Sequence, residues 1–284
     1  MRVTFLGVRG STSAPGAEFL RYGGHTSCVA LTLGRDERPR LVLDAGTGLR
    51  RLPELTGGEA FTGTILLTHL HWDHTHGLPF CRAVDRDDAS VRLLLPAQQA
   101  SAGPHGAEAL LARSMGPPHF PIEPSGLRGR WSFDELDEGM HCLEGIEVLA
   151  REIPHKGGRT FGYRVRDGDA TLAYLPDHGP GALGPGEHGH GPVHPAALEL
   201  CDGVDLIIHD AQHTATEYPV VASFGHSAAD YAVELAERAG AARVVLFHHD
   251  PSRTDDDEDA LVAAVSGPAS LEVLGATEDL VLEL

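Results

Sequence analysis

The feature that most constrains this chain is a short run of metal-binding side chains directly after an apolar segment. His69, His71, Asp73 and His74 fall within six residues, and residues 64–67 before them are apolar and β-prone. Such a run predicts a buried strand, so the four side chains would lie at the end of a rigid element. Imidazole and carboxylate groups suit zinc and other first-row metals, and the added carboxylate favours a second ion nearby. Chance pairs are expected among 18 histidines, but an ordered set behind a strand is a stronger signal.

The same arrangement, a polar residue after a strand-like run, occurs at several other places along the chain. In layered α/β folds, sites form where strands end and loops begin. The residues at these places are Asp44 in the Gly-rich segment 44–48, His155 in Ile-Pro-His, Asp177 in Leu-Pro-Asp, and His248 after the apolar residues 244–247.

These motifs together resemble the signature of the metallo-β-lactamase-fold hydrolases, and the resemblance covers nearly the whole chain. Two more segments narrow the family. Residues 206–212, which include Asp210, and residues 224–227, which include His226, resemble the paired acid and His-Ser segments of the ribonuclease Z and PhnP-type phosphodiesterase branch. The acid of that pair is usually Glu, whereas this chain has the shorter Asp. The resemblance implies an α/β fold, an αββα four-layer sandwich with two pseudo-duplicated halves, in a single domain over residues 1–284.

The resemblance also implies a centre for two divalent metal ions, with zinc as the first choice and manganese or iron as alternatives. The implied ligands are His69, His71 and His155 for the first ion, Asp73, His74 and His248 for the second, and Asp177 as the bridge. His249 competes with His248 for the last position, and His248 fits better because it follows the strand directly. Asp44 is expected to orient the histidine loop rather than to bind metal.

By the same resemblance, the chain is a hydrolase, a metal-dependent phosphodiesterase with Asp73, His226 and Asp210 as catalytic residues. Two ions about 3.5–4 Å apart can share a bridging hydroxide that attacks phosphorus, and their charge stabilises the transition state. His226 would act as general acid and protonate the leaving oxygen, with Asp210 orienting its ring. Two alternatives stay open: a ribonuclease Z-like endonuclease that processes tRNA 3′ ends, and a low-turnover ligand-sensing protein on the same fold.

The net charge favours a small substrate over a nucleic acid. The chain has 41 acidic and 22 basic residues, which gives a formal charge of −19. This charge would repel a long polyanion, and nucleic-acid-binding proteins usually carry a basic stripe. Arg35, Arg38 and Arg40 cluster only among acidic neighbours. We therefore expect a small or cyclic phosphodiester as substrate and nucleic acid as the less favoured partner, although a basic cleft could form on folding.

The lengths of the apolar runs, the N-terminal segment and the spacing of the cysteines predict a cytoplasmic enzyme. No run approaches the roughly 18 apolar residues of a membrane span, and the N-terminus enters a strand without a signal-peptide core. The four cysteines are widely spaced and form no Cys-x-x-Cys pair, so we expect them to be reduced and mostly buried. A homodimer is compatible with the sequence, which does not determine the oligomeric state.

Strand-like runs fall into two sets, which correspond to the two expected halves. The sets comprise residues 3–6, 29–33, 41–43, 64–67 and 91–95, and residues 146–153, 161–165, 171–175, 206–208, 244–247 and 271–274. A helix is predicted after His226, with Ser227 as its cap, Asp230 in capping-box spacing, and Gly240 at its end. The acidic run 255–259 is expected to open another helix as a solvated surface feature.

Three segments each allow two interpretations. Residues 98–129 are either a lid or oligomer contact over the cleft, or a packed surface excursion. The His-rich stretch 178–195 is expected to be a flexible surface loop, with auxiliary metal binding as the alternative. Residues 7–11 would either present backbone N–H groups or Arg9 to a phosphate, or form a plain tight turn.

Overall fold

The computed structural model describes residues 1–34, 36–98 and 106–284, and these residues form two seven-stranded sheets with helices. The strands are β1 (Arg2–Gly7), β2 (Cys28–Thr32), β3 (Leu41–Leu43), β4 (Thr62–Leu66), β5 (Ser90–Pro96), β6 (Arg130–Leu136), β7 (Gly139–Leu143), β8 (Ile146–Ile153), β9 (Thr160–Asp167), β10 (Ala170–Leu175), β11 (Leu206–Asp210), β12 (Arg243–Phe247), β13 (Glu272–Gly275) and β14 (Val281–Glu283). The α-helices are α1 (Leu52–Leu55), α2 (Gly106–Ala112), α3 (Pro195–Cys201), α4 (Tyr218–Val221), α5 (Ala229–Ala239) and α6 (Asp255–Ser266).

The two sheets have the same pairing plan. The first has the order β14-β1-β2-β3-β4-β5-β6, and the second has the order β7-β8-β9-β10-β11-β12-β13. In each sheet the first three pairings are antiparallel and the last three are parallel. The predicted pseudo-duplicated halves are therefore confirmed, and β14 at the C-terminus completes the sheet of the first half.

The sheets pack face to face around one apolar core, and the helices cover their outer faces. Phe5 and Leu66 of the first sheet share this core with Tyr163 and Phe247 of the second. A second apolar cluster joins the first sheet to α1 and α2, and a third joins the second sheet to α3, α5 and α6. Burial of apolar area is the main favourable term in folding, so these clusters hold the layers together. The predicted αββα sandwich is confirmed.

The strand directions bring the polar loops to one edge. β3, β4 and β5 run parallel in the first sheet, as do β10, β11 and β12 in the second. β8 runs in the same direction as β10 because each is antiparallel to β9. The loops after β3, β4, β8, β10 and β12 therefore leave their sheets at carboxyl ends, which is where sites form in layered folds.

Two helix starts differ from the sequence-based expectation. Ser227 does not cap α5: the N-cap is Ala228, without a side-chain bond, and the Ser227 hydroxyl donates to the His178 carbonyl at 2.5 Å. The helix after the acidic run is confirmed, with Thr254 as its cap. The expectation that this run is solvated is wrong for Asp255, which is 4% exposed and pairs with Arg9.

The segment 98–129 was expected to be a lid, an oligomer contact or a packed excursion, and residues 106–129 of it are packed. Leu110 and Leu111 of α2 join the apolar cluster on the outer face of the first sheet. Residues 99–105 lie outside the described residues, as does Arg35 of the arginine cluster. Arg40 of that cluster pairs with Glu144 at 3.0 Å.

The stretch 178–195 is more ordered than a flexible surface loop. His178 is fully buried, and His190 is 6% exposed and bonded to Glu234 at 2.9 Å. Within the described parts of the chain, no histidine of this stretch joins a group of three potential metal ligands. Auxiliary metal binding there has no geometric support.

All four cysteines are free, as predicted, and Cys142 is the exposed one. Within residues 1–34, 36–98 and 106–284, no helix is long and apolar enough to cross a membrane.

Candidate metal centre

The first group of predicted ligands comes from the loops after β4, β8 and β10. His155 Nε2 lies 3.2 Å from His71 Nδ1 and 3.3 Å from Asp177 Oδ2. His69 Nε2 lies 3.5 Å from the same carboxylate oxygen. All four ligand atoms fall within 4.8 Å of one another. Three imidazoles and one carboxylate oxygen therefore face a common point.

The second group comes from the loops after β4, β10 and β12. His74 Nε2 lies 3.3 Å from His248 Nε2 and 3.4 Å from Asp73 Oδ2. His248 Nε2 is 3.2 Å from Asp73 Oδ2. Asp177 Oδ1 lies 3.0 Å from both of these imidazole nitrogens. The two oxygens of Asp177 thus face the two groups separately, which is the arrangement a bridging carboxylate requires.

These separations fit divalent metals. Bonds of about 2.0–2.2 Å to a tetrahedral ion place its ligand atoms about 3.3–3.6 Å apart. The ligand-atom distances given above are 3.0 to 3.5 Å, and all ligand atoms of a group lie within 4.8 Å of one another. His69 Nε2 is also buried without a hydrogen-bond partner among the described residues. Buried polar atoms are normally satisfied, so this nitrogen points to a ligand. The His and Asp clusters are compatible with two divalent ions, and zinc suits their donor set.

The choice between His248 and His249 follows from the backbone at the end of β12. His248 has a φ of 59°, a left-handed conformation that turns its side chain into the centre. His249 instead has its Nε2 at 2.8 Å from the Ala276 carbonyl and its Nδ1 at 3.2 Å from Glu258. The structure thus places His248, and not His249, among the potential ligands.

Asp44 occupies the orienting position expected of it. It is fully buried and accepts hydrogen bonds from Thr68 N at 2.7 Å, from His74 Nδ1 at 2.8 Å and from Tyr174 Oη at 2.9 Å. The bond to His74 leaves Nε2 of that ring free for metal, which is the usual task of a carboxylate behind a ligating histidine. Tyr174 was not predicted to contact Asp44. It lies in β10 of the second sheet, and only the packing of the two sheets brings its hydroxyl to Asp44.

Burial and charge set the protonation of the centre. Burial lowers the pKa of His69, His71 and His155, which favours the neutral form that binds metal. Burial alone would raise the pKa of Asp177, but the surrounding imidazoles hold it well below its ordinary value. Asp177 is therefore a carboxylate anion between the two groups.

The predicted catalytic pair is in contact. His226 Nδ1 lies 2.9 Å from Asp210 Oδ2, so the shorter Asp does reach the ring. Burial alone would lower the pKa of His226, but the Asp210 carboxylate raises it to about 9. Since Nδ1 is engaged with Asp210, Nε2 is the nitrogen available to a ligand. Asp210 is itself held by the backbone N–H groups of His178 and Gln212, each at 3.1 Å.

The N-terminal loop supports the centre instead of exposing Arg9 to a phosphate. Arg9 is fully buried and bonds to Gly23 O, so that part of the interpretation is wrong. Ser11 donates its backbone N–H to Asp73 Oδ2 at 2.7 Å. The neighbouring Gly10 lies against the His248 ring, where an added Cβ would be 2.3 Å from Nδ1. This loop therefore positions two predicted ligands, a role that the glycine spacing alone did not reveal.

An open cleft of about 370 Å³ gives access to the centre. Its walls include Ser11, Trp72, Asp73, Asp177 and His226. Trp72 lies between two predicted ligands, and 65% of its surface is exposed. The cleft therefore opens onto residues of both ligand groups, onto His226 and onto one aromatic ring.

A family model described as the β-lactamase superfamily domain matches residues 39–249, which is most of the chain. The chain belongs to this superfamily. The ribonuclease Z of Natronomonas pharaonis is 27% identical over 321 residues, covering 99% of this chain and 98% of the relative.

Two solved structures share the superfamily fold. The metallo-β-lactamase fold protein YhfI from Bacillus subtilis has a TM-score of 0.72 at 17% identity, with 99% of both chains covered. A diphosphatase from the PhnP family has a TM-score of 0.65 at 18% identity, covering 100% of this chain and 97% of that one. At these identities the structures show the fold alone. With the family match and the full-length relative, the predicted resemblance to the ribonuclease Z and PhnP-type branch is confirmed.

Proposed function

We propose that this chain is a metal-dependent phosphodiesterase that hydrolyses a small phosphodiester. The observation that carries the proposal is the pair of ligand groups that share Asp177, one facing each of its oxygens. The proposed ligands are His69, His71, His155, Asp177, Asp73, His74 and His248. Two divalent ions bound there would activate water and offset the charge of a phosphoryl transition state.

The protein residues supply orientation and proton transfer. His226 lines the cleft and keeps Nδ1 on Asp210, so a proton on Nε2 would face the leaving oxygen of a bound diester. Asp210 stabilises the protonated ring and holds its orientation, as expected for a general acid. Asp44 and Ser11 keep His74 and Asp73 in place. Such preorganised positions avoid rearrangement during the reaction.

Charge and cleft size support a small substrate. The net charge is −19, and the sequence contains a single lysine, Lys156. Long polyanions bind through many phosphate contacts to Lys and Arg, which this surface is poorly composed to provide. A cleft of about 370 Å³ is within the usual range for small-molecule sites.

The second candidate is a ribonuclease Z-like nuclease that processes tRNA. It is favoured by the relative of that name, which aligns over 98% of its own length. The two candidates predict opposite substrate preferences, so one comparison separates them.

The test is to measure kcat/KM of the metal-loaded protein for bis-p-nitrophenyl phosphate, cyclic nucleotides and a precursor tRNA at physiological salt. We expect turnover of at least one small diester and little cleavage of the precursor tRNA. A strong preference for the tRNA would favour the second candidate. Failure to cleave any of these substrates after loading with zinc or manganese would refute the phosphodiesterase proposal.

A further inference from the structure

A second cleft, of about 670 Å³, lies beside the metal cleft. We name it the arginine cleft, and its charged or polar walls are Thr47, Arg50, His76, Arg82, Asp85 and Arg128. Two contacts place it next to the metal cleft. The His76 ring stacks on Trp72, with ring centroids 5.5 Å apart, and Thr47 Oγ1 lies 3.1 Å from Ser13 Oγ, two residues beyond Ser11.

Two arginines of this cleft, Arg50 and Arg82, form no ion pair with any described residue. Arg128 is held by Asp85, with Nη2 at 3.2 Å from Oδ2, so that pair is neutralised. Arg50 and Arg82 are exposed, and neither forms an ion pair within the described parts of the chain. In contrast, Arg51 pairs with carboxylates of three residues, Glu54, Glu278 and Asp279. In a chain with 41 acidic residues, two unpaired arginines facing one cleft make a local positive site.

Another cleft also contains arginines but lies far from the metal centre. It is lined by Arg40, Arg92 and Arg130 together with Thr62 and Ser90. Thr62, Ser90 and Arg130 begin β4, β5 and β6, so this cleft lies at the strand ends opposite to the metal loops. A substrate held at the metal centre cannot contact it.

We propose that Arg50 and Arg82 bind a second phosphate group of the substrate, beyond the diester held at the metal centre. The substrate class is then a phosphodiester with a phosphate on its flanking group, such as a terminally phosphorylated dinucleotide. Guanidinium groups match phosphate in charge and in hydrogen-bond geometry. The exposed Trp72 ring, between the two clefts, offers a flat surface for the group that joins the phosphates. This inference rests on the proposed phosphodiesterase function.

The experiment uses the metal-loaded protein and the thymidine dinucleotide TpT, its 5′-phosphorylated form pTpT and its 3′-phosphorylated form TpTp. We expect one phosphorylated form to have a kcat/KM about fivefold above that of TpT through a lower KM, which is what one or two exposed charge pairs supply. Arg50→Ala and Arg82→Ala should each remove this advantage and leave turnover of TpT and bis-p-nitrophenyl phosphate unchanged. Arg130→Ala, another exposed arginine without an ion pair among the described residues, should keep it.

The inference is overturned if neither phosphorylated form exceeds TpT, or if Arg130→Ala lowers the advantage as much as Arg50→Ala does. Equilibrium dialysis separates this outcome from failure of the proposed function. If no diester is cleaved, tighter binding of pTpT or TpTp than of TpT, lost in Arg50→Ala, still supports the phosphate subsite. Equal binding of all three dinucleotides would reject the subsite even if bis-p-nitrophenyl phosphate is hydrolysed.

Discussion

Replacing Gly10 by alanine should remove one proposed metal position and spare the other. A Cβ at residue 10 would lie 2.3 Å from His248 Nδ1 and 2.4 Å from Cε1, whereas ordinary contacts begin near 3.4 Å. The backbone conformation of Gly10 is one that alanine accepts, so the substitution creates only a steric conflict with the His248 ring. To relieve this conflict, the imidazole must move by about 1 Å. The ring has little room, because it stacks between His226, at 4.9 Å between centroids, and His74, at 5.4 Å.

The displacement is large on the scale of metal coordination. Metal–ligand distances vary by only about 0.2 Å in good sites. His248 belongs to the group with Asp73 and His74, whereas the other group uses His69, His71 and His155. We expect the affinity for the second ion to fall by about 100-fold. This is the upper end of the loss in metal affinity that follows when the residues supporting a metal ligand are changed. Overpacking should also lower the free energy of unfolding by about 1–3 kcal/mol.

The assay is the metal content of Gly10→Ala after dialysis against a series of buffered zinc concentrations. The wild type should bind two ions, and the variant should bind one at concentrations that saturate the wild type. Gly267→Ala is the matched control, because its added Cβ would meet only the Ala263 carbonyl at 3.7 Å. Wild-type binding of both ions by Gly10→Ala would refute the placement of His248. Equal loss of both ions would show that the two groups are not independent.

Four further changes test the rest of the centre. Asp177→Ala should lose most of the second ion and nearly all activity, measured by elemental analysis and turnover, because each group loses the Asp177 oxygen that faces it. His226→Ala should keep both ions and lose roughly 10²–10⁴-fold on an alkyl diester, but far less on bis-p-nitrophenyl phosphate, whose leaving group needs no proton. Equal losses on both esters would instead indicate phosphate binding. Asp210→Asn should shift the high-pH loss of alkyl-diester activity to lower pH, because this carboxylate raises the pKa of His226 and the acid works only while protonated; an unchanged pH profile would contradict the pair. Asp44→Ala should cost roughly 3–5 kcal/mol in chemical denaturation, since it leaves the buried His74 without its partner.

The strands in the middle of each sheet could be predicted because they are buried on both faces. β10, β11 and β12 read as short apolar runs, and a polar residue of the centre lies at the end of each strand or within two residues after it. The strands that were missed, β6, β7 and β14, are all at sheet edges. Edge strands are half exposed, as the alternating burial of β6 shows, so their sequences carry no apolar run.

The sequence by itself determined which residue types meet at the centre and in what order the chain delivers them. Strand ends are encoded locally, by an apolar run followed by a polar residue, so His69, Asp177 and the others could be named without a structure. Only the tertiary structure decided what depends on direction and on distant partners. A left-handed backbone at His248 turns that ring into the centre, whereas the ring of His249 is buried against Ala276 and Glu258, away from the centre. Arg9, which was expected near a phosphate, is instead buried against Asp255, 246 positions away. The direction of a side chain follows from one pair of backbone angles and from neighbours far apart in the chain, and neither is visible in a local pattern.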